Sequence, residues 1–371
     1  NEAIGEAVEK AFGNAVREQN LRVAGYPRIE PKGGDDRSRL EFSAVFEVYP
    51  EVKLNGFGDK TIERPQLDVG EAEVDKTIEV LRKQRTTFSA IERAAEKGDR
   101  VAIDFTGKLN GEVFQGGQAT DYPVVLGEGR MLPDFENGIA GLKAGESRTF
   151  DLTFPADYQV TELAGKQVSF DVTLKQVEAP QLPEVDAAFA QSLGIEDGDV
   201  AKMRAEIRSN LESEIRKRIK ARIKEQAMQA LLDANPLDVP KALIEQESES
   251  MAEAARQDLA SRGADIKNMP VDATWFSTQA ERRVKLGLII AEAVKENALH
   301  AKPEQVRTLI DEQAESYEKP EEVVRWYYSQ PQRLAQVEAL AIEENVVNWV
   351  VASAQATDKA ASFDELMGNA A

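Results

Sequence analysis

The chain has 371 residues, 42% hydrophobic and 30% charged, with 46 basic against 66 acidic side chains for a net charge of −20. Such a length divides over two or three domains of ordinary globular composition, and so acidic a balance argues against a whole surface built for nucleic acid, whose phosphates need a positive face. Cysteine is absent and His300 is the single histidine, which excludes disulfides, a thiol nucleophile, thiolate metal sites and histidine-rich centres; no run approaches the roughly 18 apolar residues of a membrane span.

In chain order, Ile4, Val8, Phe12 and Val16 recur every fourth residue and predict a helix, which Gly25, Pro27 and Pro31 then break. Leu40, Phe42, Ala44, Phe46 and Val48 alternate with Glu41, Ser43, Val45, Glu47 and Tyr49 as a strand. One helix and one strand cannot enclose a core. Residues 1–52 therefore read as a partial α+β domain that lacks a piece or packs on a neighbour. The first residue is Asn rather than Met, which is expected of a chain whose start is missing or processed. Residues 53–96 form a linker with a helix: extended from Pro50 to Pro65, then apolar on one face at Val74, Ile78, Leu81 and Phe88, starting near Gly70-Glu71 and ending before Gly98.

From residue 97 to 179 the pattern changes to alternation. Val101, Ile103 and Phe105, then Phe150, Leu152 and Phe154, then Val168, Phe170, Val172 and Leu174 mark half-buried antiparallel strands, and Asn110-Gly111 is a hairpin signal. Phe135, Ile139 and Leu142 give one short helix an apolar face to lay on that sheet. Two prolines within Ala179–Pro183 close the segment. Residues 180–371 read as an all-α region. Met203, Ile207, Leu211, Ile215, Ile219, Ile223 and Leu231 recur at multiples of four, a stripe that winds slowly round one long helix. A helix follows Asp238 and Pro240 and stops at Gly263; another runs from Trp275 to Val294; Pro303, Pro320 and Pro331 each start one more, the last reaching Val351 before an Ala-rich stretch around 352–361. His300 falls between two helices, where a histidine is ordinarily a favourable charge at a helix end.

Three signals bear on function. The first is a surplus of large apolar side chains in the sheet segment: Phe105, Phe114, Tyr122, Met131, Leu132, Phe135, Tyr158 and Phe170. Core packing is one reading and a pocket the other; Met131 and Leu132 follow a Gly127-Glu128-Gly129 turn, which places them at an edge. The second is a basic run, Arg216 to Lys224, threaded by Ile215, Ile219 and Ile223. It reads as a solvated helix face pairing with Glu212, Glu214 and Glu225, with nucleic-acid binding as the sharper alternative. The third is the set Met251, Met269, Trp275, Phe276, Tyr317, Val323, Trp326, Tyr327 and Tyr328 near helix ends, either core or adaptable apolar patches for many partners.

The sheet segment resembles the FKBP-type peptidyl-prolyl isomerases, on Asp104-Phe105-Thr106-Gly107, Phe114, Leu126-Gly127, Met131-Leu132-Pro133-Asp134-Phe135-Glu136 with Gly138 and Gly141, Gly145-Glu146 and Phe170-Asp171-Val172. The resemblance implies an antiparallel sheet wrapped on one helix and puts the eight residues of the first signal around a proline pocket. Phe105 stands where small members usually have Tyr, and Gln115 where they have Asp, which removes two polar groups from the rim. Around it, an α+β remnant ending in Phe46-Glu47-Val48-Tyr49-Pro50-Glu51-Val52 and a helical region closing on Phe363-Asp364-Glu365-Leu366-Met367 resemble the bacterial trigger factor family over the full length.

That resemblance implies a multidomain α+β protein with a helical C-terminal body carrying arms. It further implies a cytoplasmic, ATP-independent chaperone of unfolded and nascent polypeptides with prolyl isomerase activity. Tyr317, Val323 and Trp326 match an arm-tip segment that contacts clients. The family's Gly-Phe-Arg-Lys-type ribosome loop is absent and would precede Asn1, so ribosome docking is expected through that missing segment. Exchange between monomer and homodimer is implied as well; direct nucleic-acid binding and membrane contact are not expected. No cofactor is expected, because rotating an imide breaks no bond, and no Gly-x-x-x-x-Gly-Lys-Ser/Thr loop is present for a nucleotide. A dedicated isomerase whose helices only scaffold or dimerise is the rival reading, and a binding scaffold with a degenerate pocket is a third.

Overall fold

The computed structural model describes residues 2–32, 41–263 and 270–368; Leu40 and Met269 of the patterns above lie outside the described residues. In chain order the elements are α1 (Glu2–Glu18), β1 (Val23–Lys32), β2 (Glu41–Val48), β3 (Thr61–Gln66), α2 (Glu71–Gln84), β4 (Thr87–Ile91), β5 (Arg100–Leu109), β6 (Glu112–Val125), α3 (Pro133–Ile139), β7 (Ser147–Thr153), β8 (Gln167–Gln181), α4 (Ala187–Ser192), α5 (Val200–Ala234), α6 (Lys241–Ser261), a 3-10 turn (Ala273–Phe276), α7 (Ser277–Asn297), α8 (Pro303–Ala314), α9 (Pro320–Tyr328), α10 (Pro331–Ser353), β9 (Gln355–Ala360) and α11 (Phe363–Met367). They divide into two units, Asp68–Glu214 and the remainder, Asn1–Leu67 with Ile215–Ala371.

In the unit formed by both ends of the chain, the predicted strand does not stand alone. Residues 23–32 pair antiparallel with it as β1, opposite Val48 through Glu41, with a register slip between Ala24 and Arg28. Pro27 and Pro31 lack a ladder donor, which hid this strand in the sequence; a two-stranded ribbon tolerates them because one edge of each strand is free. The apolar face of α1 lies on the hairpin, with Phe12 and Phe46 edge to face at 5.1 Å. They leave an open apolar groove of about 510 Å³.

A second departure from expectation joins positions nearly 300 apart. Pro50–Pro65 is not wholly extended linker: Thr61–Gln66 pairs in parallel with Gln355–Ala360, from Thr61 opposite Gln355 to Gln66 opposite Ala360. The mostly helical C-terminal region thus contributes one strand. The outer edge of β3 is closed by the side-chain amide of Gln226 on α5, which accepts from the Glu63 N–H at 2.8 Å and donates to its carbonyl at 2.8 Å, as a neighbouring strand would. Around this ribbon Phe57, Ile62, Leu231, Ile289, Val346 and Val350 are buried together.

The basic run falls on α5, and three of its cations pair outward. Arg222 meets Glu365 at 3.0 Å, Lys224 meets Glu343 at 2.6 Å, and Lys220 pairs with Glu344. These three are thus paired with carboxylates of α10 and α11.

In the other unit the helix predicted from near Gly70-Glu71 to before Gly98 stops at Gln84, and Phe88 lies in β4, paired opposite Pro180. The apolar spacing at Val74, Ile78 and Leu81 continues by coincidence into a residue belonging to a strand. β8 runs 15 residues, past Pro180 but not Pro183 of the pair read as a boundary, and along one edge takes β7 and then β4, with β5 on the other. Strand order is β4-β8-β5-β6, with β7 also on β8. Asn110 and Gly111 make the β5–β6 hairpin with φ of 53° and 88°, the paired left-handed conformations of a type I′ turn. Inside the sheet's concave face, Val101, Ile103, Val168, Val172 and Leu174 are buried against α3 through Phe135 and Ile139. Asp99, buried ahead of β5, takes both guanidinium nitrogens of Arg93 at 2.6 and 2.9 Å and the Glu96 N–H at 2.8 Å, so this charge is fully partnered.

Glu47 of β2 accepts the N–H groups of Ala242 at 2.8 Å and Lys241 at 2.9 Å, capping α6 from another element. These donors, that of Ala242 first, hold its carboxyl below the ordinary value of 4.5. A carboxylate with a depressed folded pKa adds stability above its unfolded pKa and loses it as pH falls through the folded value. Glu47→Ala is expected to lower the melting temperature at neutral pH, and the gap from wild type to close as pH is taken below 4.5; a gap independent of pH in thermal melts would contradict the charge-based cap.

Candidate prolyl-isomerase pocket

The concave face of the sheet meets α3 at an open cavity of about 480 Å³. Phe135 forms its base. Pro133 begins α3 where the missing N–H costs nothing, so Phe135 is carried in the first turn and points into the sheet, 2% exposed. Around it stand Phe170 of β8 at 5.0 Å between ring centroids and Phe105 of β5 at 5.7 Å, both near perpendicular or tilted in the manner aromatic quadrupoles favour. Phe150 of β7 backs Phe135 at 5.7 Å. Phe114, from β6, meets Phe170 at 6.0 Å and Phe154 at 6.2 Å; Phe154 in turn leans on Tyr158 at 4.6 Å.

Seven of the eight predicted residues, Phe105, Phe114, Met131, Leu132, Phe135, Tyr158 and Phe170, line this one cavity. Tyr122 does not. It lies on β6 opposite Ile103, 42% exposed, its ring edge-on to Phe105 at 5.8 Å. The adjacent Asp121 holds a positive φ of 51°, its N–H bonded to Asp104 at 2.8 Å and its carboxylate to Lys175 at 2.7 Å. That hydrogen bond first, then the charges of Asp104 and Asp121, hold the Lys175 ammonium above the ordinary lysine range. The network fixes the turn that presents Tyr122 beside the rim.

Sequence reasoning missed Leu152, Phe154, Val160 and Leu163, which complete the wall. Leu152 and Phe154 were legible as a strand stripe; what was not legible is that this stripe turns its end into the cavity. Arg130 is the one charged residue among the lining, and Gln115 and Phe105 both face the space, so the two departures from the usual FKBP residues do fall at the cavity. Its walls are otherwise apolar or aromatic. Such a space can take a compact apolar ring; it presents no acid–base pair and, among the described residues, no cluster of metal-ligating side chains occurs anywhere.

The second predicted group is on another unit. Val324 and Tyr327 of α9 turn inward onto Val306, Ile310, Val337 and Ala341. Val323 is half-buried, and Trp326 one helical turn further is 50% exposed; Tyr317, in the turn before α9, is 60% exposed. Arg333 lies over the Trp326 ring at 3.6 Å. α9 thus has one face in a core and an aromatic face outside it. Trp275, in the 3-10 turn, is 70% exposed, whereas Met251 and Phe276 are half-buried.

Comparison with known proteins agrees with this geometry. The family profile described as bacterial trigger factor protein (TF) matches residues 1–81, that described as FKBP-type peptidyl-prolyl cis-trans isomerase matches 92–175, and that of the bacterial trigger factor protein (TF) C-terminus matches 199–352. The trigger factor of Aromatoleum aromaticum (strain DSM 19018 / LMG 30748 / EbN1) is 61% identical over 371 residues, all of this chain and 86% of that protein. The trigger factor of Azoarcus sp. (strain BH72) is 62% identical over 100% of this chain and 85% of its own length, and that of Dechloromonas aromatica (strain RCB) 60% identical over 99% and 85%.

α3 sits so close to β7 that a Cβ at Gly138 would fall 2.5 Å from the Phe150 ring. Gly138→Ala must displace Phe150 and, behind it, Phe135, at a cost of about 1–3 kcal/mol. The expected readout is earlier denaturant unfolding of the sheet unit, followed by amide exchange of β7 and β8 in the whole chain; unchanged protection would mean that α3 is free to slide.

Proposed function

The chain belongs to the bacterial trigger factor family, and from that premise we propose how its parts divide the work. The protein is an ATP-independent chaperone with FKBP-type peptidyl-prolyl isomerase activity. We assign the isomerisation to the aromatic cavity of residues 97–179, with Phe105, Phe114, Met131, Leu132, Phe135, Tyr158 and Phe170 around the substrate proline and Tyr122 at the rim. Client binding is assigned to the helical part, 180–371, with Tyr317, Val323 and Trp326 as one contact patch. The observation that carries the first assignment is the convergence of five phenyl rings, Phe105, Phe114, Phe135, Phe154 and Phe170, on one open apolar space.

The chemistry fits. Rotation about an X–Pro bond is opposed by amide resonance, a barrier of about 18–20 kcal/mol, and breaks no bond. A dry aromatic cup that seats the pyrrolidine ring favours the twisted imide, which has lost resonance and is less dependent on water than the planar amide. Only interactions stronger with that twisted state than with the planar ones accelerate the reaction. Phe135 under the ring and Phe170 and Phe105 beside it supply shape for this without nucleophile or base.

The partners of this reading are nascent and unfolded polypeptides and, through the N-terminal domain, the ribosome. Phosphate-rich nucleic acid is not among them, because Lys220, Arg222 and Lys224 are already paired with carboxylates. Exchange with a homodimer and a cytoplasmic location belong to the same proposal; no described helix is long and apolar enough to cross a membrane.

Phe135→Ala is expected to cut kcat/KM on a short proline peptide by at least about tenfold, or about 1.4 kcal/mol of transition-state binding. Val323→Ser with Trp326→Ser is expected to weaken suppression of aggregation of an unfolded protein. Should both variants lose both activities to the same degree, the division of labour between the two sites is wrong.

A further inference from the structure

We infer that Arg148 is a positioning residue for prolyl isomerisation: its guanidinium, reaching from β7, holds the C-terminal carbonyls of α3 and so sets where Phe135 stands. The inference rests on the pocket assignment made above. Its starting point is an anomaly of patterning. Along β7 the residues Arg148, Phe150 and Leu152 alternate onto one face, and Ser147, Thr149 and Asp151 onto the other. The second set is polar and bonds outward, Thr149 to Asp171 and Ser147 to Thr173, each at 2.7 Å. The first set faces α3: Phe150 backs Phe135, and Leu152 is buried in the cavity wall. A cation at the head of an otherwise apolar stripe needs partners of opposite polarity.

It has them in the last turn of α3. Arg148 Nη1 donates to the Gly138 carbonyl at 2.9 Å and the Ala140 carbonyl at 3.2 Å. Carbonyls at a helix C-terminus lack intrahelical donors and carry the negative end of the helix dipole, so a guanidinium there is favoured twice over. The contact matters more than usual because α3 has only seven residues, too few to hold a helix by its own hydrogen bonds. In the middle of the helix, Glu136, the residue after Phe135, accepts the Gly127 N–H at 2.8 Å and ties α3 to the loop that supplies Met131 and Leu132. At the end of the helix, Arg148 ties it to the sheet. Both ties act on the short helix that carries Phe135, so its ring is aimed by the helix as a body rather than by its own rotamer alone.

Arg148 does not line the cavity. Its loss leaves the binding surface intact and changes the placement of Phe135, so the effect belongs in kcat, where geometry is read, rather than in KM. The test uses the full chain with Arg148→Ala, Arg148→Lys and Phe135→Ala, an uncharged tetrapeptide with one proline as substrate, and a melting temperature for each variant. Expected for Arg148→Ala is a kcat lowered roughly fivefold at a KM within about twofold of wild type and an unshifted melting temperature; Lys, keeping a cationic N–H donor for the helix-end carbonyls, recovers at least half of the loss. An unchanged kcat in Arg148→Ala, a loss that Lys does not recover, or a loss that tracks a lowered melting temperature overturns the inference. Full turnover by Phe135→Ala would instead remove the pocket assignment itself, so the two failures are told apart by which variant keeps its rate.

Discussion

Packing of one ring holds the catalytic unit together. Phe135 is at once the residue through which α3 is buried on the sheet and the base of the cavity, with Phe170, Phe105 and Phe150 within 6 Å of its centroid. Core and site are therefore the same atoms. A pocket of this kind can be open to substrate without being soft, because its wall cannot be rearranged without disturbing β5, β7 and β8 together. The short helix is held at Glu136, which accepts the Gly127 N–H, and at its C-terminal end, where Arg148 meets the Gly138 and Ala140 carbonyls.

The helical part uses apolar surface differently. α9 divides its side chains between a small core and solvent, so that Val324 and Tyr327 anchor the element while Val323 and Trp326 are displayed one turn apart. Trp326 is partly covered by Arg333, which lowers the cost of leaving an indole exposed.

Much of this was legible from local chemistry. Alternation gave β5, β7 and β8, the Asn110-Gly111 pair gave their hairpin partner β6, spacing by four gave α1 and the winding stripe of α5, and prolines marked the first residues of α8, α9 and α10. Seven of the eight residues that the FKBP resemblance placed around a pocket line the cavity, whereas the residues alone left core packing and a pocket both open. The errors have a common origin. Phe88 fell in phase with the α2 stripe although the chain had already turned into β4; Pro27 and Pro31 hid β1; the alanines around 352–361 hid β9. In each case the deciding partner was another strand, and a strand's stability lies in its partner's hydrogen bonds.

The sequence by itself determined which residues are apolar in step with a helix or a strand, where turns must open, that no thiol and only one imidazole, that of His300, is present, and which family motifs are carried. Only the tertiary structure decided what those elements meet: that residues 61–66 pair with 355–360, that Gln226 closes the free edge of that ribbon, that Lys220, Arg222 and Lys224 of α5 pair with Glu344, Glu365 and Glu343, that Tyr122 stands beside the cavity and not in it, and that Arg148 faces a helix end. The reason is physical. Periodicity reports which side of an element avoids water, a property of neighbours along the chain, whereas hydrogen-bond partners and ring contacts depend on distances closed by folding between residues that the sequence leaves far apart.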